Sequence, residues 1–373
     1  MEHYLDNSAT TKVCPEAAEA AMLAMTEVYG NPSSTHTKGR EAKQLLDKSR
    51  KQVADALGCT SQELVFTSCG SESDNWAILN GAELMRRKGM HIISSQVEHD
   101  AVRKSLDELE RRGFEVTRLK PDDTGAIPVQ AVMEALRPDT VLVTLMLVNN
   151  ETGAVTDIGA IARAMKKAGS QALLHTDAVQ AFMKLPFTVK SLGADLVSVS
   201  GHKIHAPKGI GALYIKNGVK LKPYLLGGGQ ENGRRAGTEA MPQIAAFAAA
   251  AEERTARFAE NTAHMATLRD RLLAGARALG CEINTPADCA PHIVNLSPCV
   301  GRSEVYIRVL SDRGIYVSGG SACSRGKKSH VLTAMRVSGK NADAALRVSL
   351  CPESTEEDAD AFLAALDQAK RMF

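Results

Sequence analysis

Lys203 and Asp177 are the two residues of this sequence whose types and positions most clearly indicate chemistry. Asp177 follows the largely apolar run 172–175, and Lys203 follows the run 196–199, each of which is typical of a short buried strand. Pyridoxal phosphate requires an amine that forms a Schiff base and a carboxylate that keeps its pyridine nitrogen protonated. A lysine beyond one strand and an aspartate beyond another therefore predict a site for this cofactor.

A phosphate-binding turn is predicted at residues 68–75, which follow a predicted strand and begin a predicted helix. Gly70 lets the backbone close around a phosphate, Ser71 adds a hydroxyl, and the first N–H groups of a helix are free to donate. Taken alone, the segment is more typical of an ordinary capped turn. Ser200 and His202 lie just before the lysine and would supply further phosphate donors.

Three other polar residues are expected around the ring of the cofactor. His99 follows a predicted strand and would stack on the ring and move protons, with a surface histidine in a turn as the alternative. Asn150, in the segment 149–153, would bond to the ring hydroxyl or to a substrate carboxylate, with a simple turn as the alternative. Gln180 lies one helical turn beyond Asp177 and would reach the same hydroxyl.

Arg347 lies inside the otherwise apolar segment 346–350, and a buried arginine needs an anion. That anion is either an internal carboxylate or the carboxylate of an amino-acid substrate, which a guanidinium binds in a bidentate manner. His202 and His205 form a His-x-x-His pattern, but Lys203 lies between them and no third ligand is near in the sequence. We therefore predict no metal site there.

Cys323 lies in the segment 318–330, Ser-Gly-Gly-Ser-Ala-Cys-Ser-Arg-Gly-Lys-Lys-Ser-His. Most cysteines are small buried hydrophobic residues, but a glycine-rich, polar and cationic segment predicts an exposed, mobile loop. Arg325, Lys327 and Lys328 should favour the thiolate form of a neighbouring cysteine. We therefore interpret Cys323 as a reactive nucleophile rather than a packing residue.

Helical and strand patterns alternate along the first two thirds of the sequence, which is typical of an α/β fold with a largely parallel sheet and right-handed crossovers. In such sheets, ligands lie at the carboxyl ends of the strands. The predicted strands are 63–67, 91–95, 114–119, 141–148, 172–175, 196–199 and 209–215, and the predicted helices are 15–29, 39–58, 100–112, 129–136 and 157–168. A helical stretch from 241 to about 279 then precedes a smaller α+β region, with strands 293–296, 315–317 and 345–350 and a final helix 355–370.

Length and composition exclude several classes of protein. The 373 residues are enough for two domains and a large core, and 44% hydrophobic with 24% charged residues is typical of a soluble globular enzyme. A formal net charge of +2 without a long basic block argues against nucleic acid or an anionic membrane as partner. The first residues do not resemble a secretory signal, and the eight cysteines contain no Cys-x-x-Cys. We therefore expect a cytoplasmic protein with reduced thiols.

Together, these segments resemble cysteine desulfurases, the NifS-like branch of the fold-type I, class V aminotransferase-like pyridoxal phosphate enzymes. The resemblance runs almost from end to end. Its markers are the segments 4–11, 30–34, 98–99, 149–151, 235–238, 321–323 and 346–347, with the Asp177 and Lys203 motifs. Three features depart from the family pattern: Ser71 replaces the commoner threonine, Cys69 replaces a glycine, and the loop after Cys323 is a little shorter than in housekeeping iron–sulfur-cluster members.

The resemblance implies the type I fold of pyridoxal phosphate-dependent transferases, with a large domain built on a mainly parallel seven-stranded sheet and a smaller α+β domain. The large domain is expected to span residues 14–255. The small domain is expected to comprise residues 1–13 and 256–373 and to carry the catalytic cysteine loop. The resemblance also implies a homodimer in which Thr238 reaches the phosphate of the neighbouring subunit's cofactor.

The resemblance further implies that L-cysteine is converted to L-alanine and that the sulfur is left as a persulfide on Cys323. Lys203 and His99 are expected to move protons, and Arg347 and Asn150 to hold the substrate carboxylate. The sulfur would pass to an acceptor protein that serves iron–sulfur clusters, other thio-cofactors or tRNA thiolation. Two related activities stay open, a selenocysteine lyase and a class V aminotransferase, as does a non-catalytic sulfur carrier that retains the fold.

Overall fold

A computed structural model describes residues 2–319 and 329–373 of the chain. Its strands, in chain order, are β1 (His3–Tyr4), β2 (Leu64–Thr67), β3 (His91–Ser95), β4 (Glu115–Leu119), β5 (Thr140–Thr144), β6 (Leu173–Asp177), β7 (Leu196–Ser200), β8 (Gly211–Ile215), β9 (Glu282–Ile283), β10 (Ile293–Ser297), β11 (Ile315–Tyr316) and β12 (Leu346–Ser349).

The α-helices are α1 (Pro15–Thr26), α2 (Thr37–Leu57), α3 (Gly70–Asn75), α4 (Gly81–Met85), α5 (Asp100–Arg111), α6 (Val129–Ala135), α7 (Ile158–Lys167), α8 (Val189–Leu192), α9 (Met241–Ala256), α10 (Phe258–Ala278), α11 (Ser303–Ser311), α12 (His330–Ala334), α13 (Gly339–Ala344) and α14 (Glu356–Lys370). A π-helical segment, Trp76–Asn80, joins α3 to α4. Short 3₁₀ turns occupy Ser61–Glu63, Gly201–Lys203 and Gln230–Gly233.

A seven-stranded sheet with the order β2-β8-β7-β6-β5-β3-β4 forms the centre of the molecule. Strands β4, β3, β5, β6 and β7 are parallel to one another, whereas β8 runs antiparallel to both β7 and β2. The predicted α/β fold with a mainly parallel seven-stranded sheet is therefore confirmed. Because parallel strands all point the same way, the residues that follow β3, β5, β6 and β7 meet at one edge of the sheet.

Helices cover both faces of this sheet, which explains why its inner strands are apolar at nearly every position. Neighbouring residues of one strand point to opposite faces, so that Ile92 packs with α5 residues in one cluster while Ile93 belongs to the larger cluster on the other side. In the larger cluster, α9 packs against α1 and α2. The rigid scaffold beneath the carboxyl edge thus comes from burial on both faces of the strands.

The smaller α+β region has its own sheet and its own core. Strands β12, β10 and β9 form an antiparallel sheet, and β1 pairs in parallel with β11. Helices α10, α11 and α14 pack with these strands around apolar side chains that include Leu5, Tyr306 and Phe362. The N-terminal residues therefore join the C-terminal part of the chain. The domain boundaries at 13/14 and 255/256 stay a prediction.

Several element boundaries differ from those predicted by the sequence pattern. Strand β5 ends at Thr144 rather than at residue 148, although the N–H groups of Leu145 and Leu147 still donate to the carbonyls of His175 and Asp177. The predicted helix 241–279 is two helices, because Arg257 leaves helical geometry with φ −113° and ψ 19°. In the described ranges, no helix is long and apolar enough to cross a membrane.

Candidate active site

A cavity of about 250 Å³ opens at the carboxyl edge of the large sheet. It lies where ligands bind in open α/β sheets. It is lined by residues that the sequence predicted to form a site: Gly70, Ser71, His99, Asn150, Asp177, Gln180, Ser200, His202, Lys203 and Arg347. Residues that are up to 277 positions apart in the sequence, from Gly70 to Arg347, thus share one space.

Lys203 ends the 3₁₀ turn that follows β7, so its side chain is aimed across the carboxyl edge. Its Nζ donates to the main-chain carbonyls of Ser8, at 2.6 Å, and Ala9, at 2.8 Å. Burial lowers the pKa of the Lys203 amine to about 7, and the positive charges of Arg347 and Lys184 act in the same direction. About half of the amine is therefore unprotonated near neutral pH, as a nucleophile or a base requires.

Asp177 is the last residue of β6 and is buried. Its Oδ1 accepts a hydrogen bond from the backbone N–H of Val179 at 2.9 Å. Burial raises the pKa of the Asp177 carboxyl, while the charge of His99, this N–H group and the charge of Lys203 oppose the rise. These opposing interactions favour a carboxylate that can hold a proton on a neighbouring ring nitrogen.

Two further carboxyl groups lie close to Asp177 and are fully buried. Burial, followed by the charge of Asp177, raises the pKa of Asp74 well above its ordinary value. Burial likewise raises the pKa of Glu98 to about 8, although Ser95 and the backbone N–H of Met146 donate to it. Burial and a neighbouring carboxyl disfavour a charge on Asp74, whereas Lys203 and a backbone N–H group favour the charged form of Asp177.

His99 is the N-cap residue of α5, and its Nδ1 accepts a hydrogen bond from the N–H of Ala101 at 3.2 Å. A neutral imidazole with an accepting Nδ1 carries its proton on Nε2. The ring therefore presents an N–H donor at its other end, while the cap fixes the orientation of the side chain. This geometry suits a group that contacts a bound ring and exchanges protons.

The turn at Gly70 has no room for a side chain, because a Cβ there would lie 2.8 Å from Cγ2 of Val179. Ser200 is buried, and its Oγ has no hydrogen-bond partner in the described chain. Burial and the Lys203 charge lower the pKa of His202 to about 3, so its ring is neutral, and Nδ1 lies 3.2 Å from Oγ1 of Thr10. These groups, with the exposed Ser71, form the polar end of the cavity.

Arg347 is 1% exposed and lies in β12, an outer strand of the antiparallel sheet that pairs with β10. Its Nη2 is 2.8 Å from Oδ1 of Asp6, and its Nη1 donates to the carbonyl of Asn150 at 2.8 Å. The internal carboxylate partner is therefore present, and the guanidinium belongs to a residue that also lines the cavity, so its contact with a substrate carboxylate stays a prediction. Its Nε has no hydrogen-bond partner among the described residues.

Asn150 and Gln180 differ in whether their side chains are hydrogen-bonded to other parts of the protein. Asn150 follows β5, and its carbonyl accepts from Arg347 while its side chain lines the cavity. The amide of Gln180 donates to the carbonyl of Ser8 at 3.0 Å, and its Oε1 lies 3.4 Å from Nε2 of His292. Gln180 thus holds the N-terminal segment in place, and the contact with a ring hydroxyl stays a prediction.

Of the predicted residues that the structure describes, Thr238 is not among those that line the cavity. Thr238 is exposed and lies away from the cavity, so its reach into a neighbouring subunit stays a prediction. Cys323, with Arg325, Lys327 and Lys328, lies outside the described residues.

Sequence reasoning missed three residues that contact or lie near Lys203 and Asp177, namely Ser8, Ala9 and Asp74. The carbonyls of Ser8 and Ala9 hold the lysine amine, but a main-chain carbonyl carries no residue-type signal. Asp74 carries only a weak sequence signal, because a polar residue in a helical pattern usually lies on a solvated face. The position of Asp74 three residues after Ser71 was the available signal, since α3 turns both toward the cavity.

The donor set fits pyridoxal phosphate. The cavity holds a partly neutral amine, a buried carboxylate and two buried hydroxyls without partners, those of Ser8 and Ser200. Gly70 lines the cavity without a side chain at the first position of α3, where backbone N–H groups are free to donate to an anion. Buried polar atoms without partners indicate a polar ligand, because each would otherwise cost free energy.

Comparison with known proteins agrees with this geometry. The sequence profile of the aminotransferase class-V family matches residues 3–362. The cysteine desulfurase IscS of Methanosarcina thermophila is 44% identical over 364 residues, which cover 96% of this chain and 90% of that protein. A cysteine desulfurase of Trichormus azollae is 43% identical over 362 residues, with the same coverage.

Solved structures give the same result. A NifS-like protein superposes with a TM-score of 0.95 at 37% identity, and the alignment covers 100% of this chain and 100% of that one. SspA in complex with cysteine has a TM-score of 0.82 at 34% identity and covers 95% of this chain and 100% of that one. Enzymes of this family use pyridoxal phosphate. The chain therefore belongs to the aminotransferase class-V family and, within it, to the NifS-like cysteine desulfurases.

Proposed function

We propose that this protein is a pyridoxal phosphate-dependent cysteine desulfurase that converts L-cysteine to L-alanine and keeps the sulfur as a persulfide on Cys323. The observation that carries the proposal is the convergence of the Lys203 amine, the Asp177 carboxylate and the Arg347 guanidinium on one cavity, in a member of the cysteine desulfurase family. The 34% identical relative SspA is described in complex with cysteine, which supports cysteine as the substrate.

Each part of the cofactor has a partner of suitable chemistry in this cavity. Lys203 would hold it covalently, Asp177 would bond to its pyridine nitrogen, and Ser71, Ser200 and His202 would hold its phosphate. His99 would contact its ring. When bound, pyridoxal phosphate supplies an electron sink for charge that develops at the Cα atom of an amino acid.

Lys203 is the proton carrier in this proposal. Its Nζ has a pKa lowered to about 7, so at neutral pH the amine can accept the Cα proton of a bound amino acid. The carbonyls of Ser8 and Ala9 give the resulting ammonium two acceptors, which hold the proton in place until it is returned. His99, whose ring presents its Nε2–H end, is the second candidate for returning a proton to the product.

Arg347 and Asn150 would bind the substrate carboxylate. The guanidinium keeps one anionic partner, Asp6, and still has Nε without a partner, so an N–H remains for a second anion. Its contact with the Asn150 carbonyl fixes the separation between the two residues. A carboxylate placed here lies opposite the polar end formed by Ser71, Ser200 and His202, which orients the amino acid along the cavity.

Cys323 would complete the reaction. Its thiolate attacks the sulfur of the substrate, so that an S–S bond forms while the C–S bond breaks and the electron pair stays with carbon. A later attack by an acceptor thiol would remove the outer sulfur by the same exchange chemistry. The acceptor would be a protein of iron–sulfur cluster assembly, of another thio-cofactor pathway or of tRNA thiolation.

We also infer a homodimer and a two-domain chain with the boundaries given above. Large apolar side chains are exposed on α1, at Met22 and Met25, and Leu226 is 86% exposed shortly before Thr238. Exposed apolar groups of this kind support an interface between copies. The separate core that Leu5 and Phe362 share supports the division into two domains.

The test is the amount of alanine formed per active site from L-cysteine, with and without dithiothreitol. Wild type should turn over repeatedly only when the thiol is present to remove sulfur, and Cys323→Ala should form no alanine while retaining the bound cofactor. Cys299→Ala removes a different, half-buried thiol and should behave as wild type. Full turnover of L-cysteine by Cys323→Ala would instead indicate a lyase or an aminotransferase.

A further inference from the structure

A second group of chemically reactive side chains lies beside the elements that carry Lys203 and Arg347. One ligand atom each from His205, Cys351 and Glu353 lie within 4.8 Å of one another. His205 comes two residues after the lysine, while Cys351 and Glu353 come shortly after β12. None of the three lines the described cavity, so the cluster is separate from the site proposed for the cofactor.

His205 has a buried nitrogen that nothing in the described chain satisfies. The residue is 4% exposed, and its Nδ1 lies 2.9 Å from the carbonyl of Lys12, which can only accept. Nδ1 therefore carries the proton, and Nε2 carries a lone pair without a hydrogen-bond partner. That lone pair faces Oε2 of Glu353 at 3.4 Å. Burial lowers the pKa of His205 and so favours the neutral ring, in which the Nε2 lone pair faces a carboxylate oxygen.

Cys351 and Glu353 supply the other two donors from one short turn. The Cys351 thiol is 8% exposed and accepts from Oγ of Ser354 at 3.6 Å. Burial raises the pKa of this thiol to about 11, so it stays protonated unless a cation displaces the proton. The Glu353 side chain is 55% exposed, and its Oε1 is held by Nη2 of Arg254 at 2.5 Å, which leaves Oε2 directed at His205.

We propose that His205, Cys351 and Glu353 form a binding site for a single zinc ion, with water as the fourth ligand on the exposed side. Tetrahedral zinc with Zn–N and Zn–O of about 2.1 Å and Zn–S of about 2.3 Å separates its ligand atoms by roughly 3.4–3.8 Å. The 3.4 Å between Nε2 of His205 and Oε2 of Glu353 already has this value. The thiol, within 4.8 Å of both, needs only a small side-chain rotation.

The surrounding residues orient these ligands as the neighbours of metal ligands usually do. A zinc-bound histidine typically donates its other N–H to a carbonyl or carboxylate, which fixes the tautomer, and His205 does so to Lys12. A ligating carboxylate is usually hydrogen-bonded in turn, and Arg254 fills that role for Glu353. The unpartnered nitrogen, the two oriented neighbours and the thiol are independent features of one location.

The local charges also permit a divalent ion. Arg254 is flanked by Glu253, at 3.0 Å, and Glu353, so these three side chains carry one net negative charge. Binding releases the thiol proton to solvent and adds a second negative charge, which together match the two charges of zinc. After burial, the charges of Arg254 and, less strongly, Lys184 lower the pKa of His205 and oppose binding of a cation. The two glutamates offset Arg254, and burial lowers the pKa of Lys184 itself to about 8.

The test counts zinc bound per chain and needs no turnover, so it is independent of the proposed enzymatic function. The full-length holoprotein carries Cys323→Ala in every sample, because that thiol is predicted to be accessible. Samples are dialysed against zinc chloride and analysed by mass spectrometry of the metal. We expect one zinc per chain, and a dissociation constant at least about tenfold higher after Cys351→Ser or Glu353→Gln, since even indirect neighbours of a metal contribute about 10- to 100-fold.

Cys281→Ser is the matched control, because this cysteine is buried to the same degree, at 7% exposed, and lies by Lys370 rather than by a histidine. Its zinc affinity should equal that of the parent. Glu353→Gln changes an exposed side chain, so it tests the site even where Cys351→Ser impairs folding. Absence of zinc from the parent, or equal affinity in the parent and both site variants, would overturn the proposal.

Discussion

The two parts of the molecule that meet at the cavity contribute different kinds of groups. The large sheet contributes side chains that follow its strands, among them Asp177, His99 and Lys203. The smaller region and the N-terminal segment contribute Arg347 from inside a strand and two main-chain carbonyls, of Ser8 and Ala9. Among the described residues, the sheet edge therefore supplies the side chains proposed to react, while the other part supplies groups that bind, orient and hold protons.

The largest effect should come from the sheet edge itself. Lys203→Ala removes both the covalent partner of the cofactor and the proton acceptor, so alanine formation should fall at least about 10⁴-fold. The measurement is the alanine formed per chain, together with the visible absorption of bound cofactor. Lys208→Ala, which removes an exposed lysine nearby, should leave both unchanged. Substantial turnover by Lys203→Ala would remove the distinction between the two parts.

The next effect compares two neighbouring acids. Asp177→Asn should lower kcat about 10²- to 10³-fold, because a fixed negative charge at the site of charge development is lost. Asp74→Asn should change kcat less than about threefold, since burial raises the pKa of Asp74 and so disfavours the charge that this substitution removes. Steady-state rates of alanine formation give kcat for both variants and so test this difference. Equal losses would show that the charge is shared between the two carboxyl groups.

A smaller effect is expected where the C-terminal part of the chain binds the substrate. Arg347→Gln should lower kcat/KM about 100-fold, equivalent to roughly 3 kcal/mol for a charge-assisted hydrogen bond to the substrate carboxylate. Asp6→Asn removes only the internal partner of this arginine, at 2.8 Å, and should lower kcat/KM much less. If both variants lose the same amount, Arg347 acts through its ion pair with Asp6 and not on the substrate.

The smallest expected effect is on the pH dependence of cofactor binding, and it tests how the charge of Arg347 influences Lys203. The cofactor-free protein should capture pyridoxal phosphate faster as pH rises through about 7 and then reach a plateau, because the pKa of Lys203 is lowered to about 7 and only the neutral amine reacts. One unit below that pKa, the rate should fall about tenfold. Removing the nearby positive charge in Arg347→Gln should move the midpoint to higher pH. Stopped-flow absorbance at several pH values measures both.

The sheet and most of the cavity could be predicted because strand residues and their followers carry strong sequence signals. Asp177 ends an apolar run, and Lys203 follows one, so their positions at the carboxyl edge follow from the alternation of helices and strands. The seven strands were predicted from these patterns, whereas their assembly into a single seven-stranded sheet was implied by the family resemblance. The N-terminal contacts could not be predicted, because Ser8 accepts through its main chain from a lysine 195 positions away.

The pattern His-x-x-His shows why spacing alone misleads. On an α-helix, residues three apart share a face, which would bring His202 and His205 together. Here the chain forms a single 3₁₀ turn that ends at Lys203, and His205 adopts a positive φ of 70°, so the two rings point to different places. His202 lines the cavity, whereas His205 faces Cys351 and Glu353, two residues that nothing in the local sequence connects with it.

The pairing of β1 with β11 has a consequence for the order of events during synthesis. His3 lies beside Ile315, so the first strand of the chain waits for a partner that the ribosome adds roughly 310 residues later, or about 15 to 60 s at ordinary elongation rates. Until then, the segment whose Ser8 and Ala9 carbonyls hold Lys203 is tied to the large sheet region by contacts such as that of Gln180, but lacks the support of β11. Loading of the cofactor is therefore expected to follow release of the nascent chain rather than to accompany its elongation.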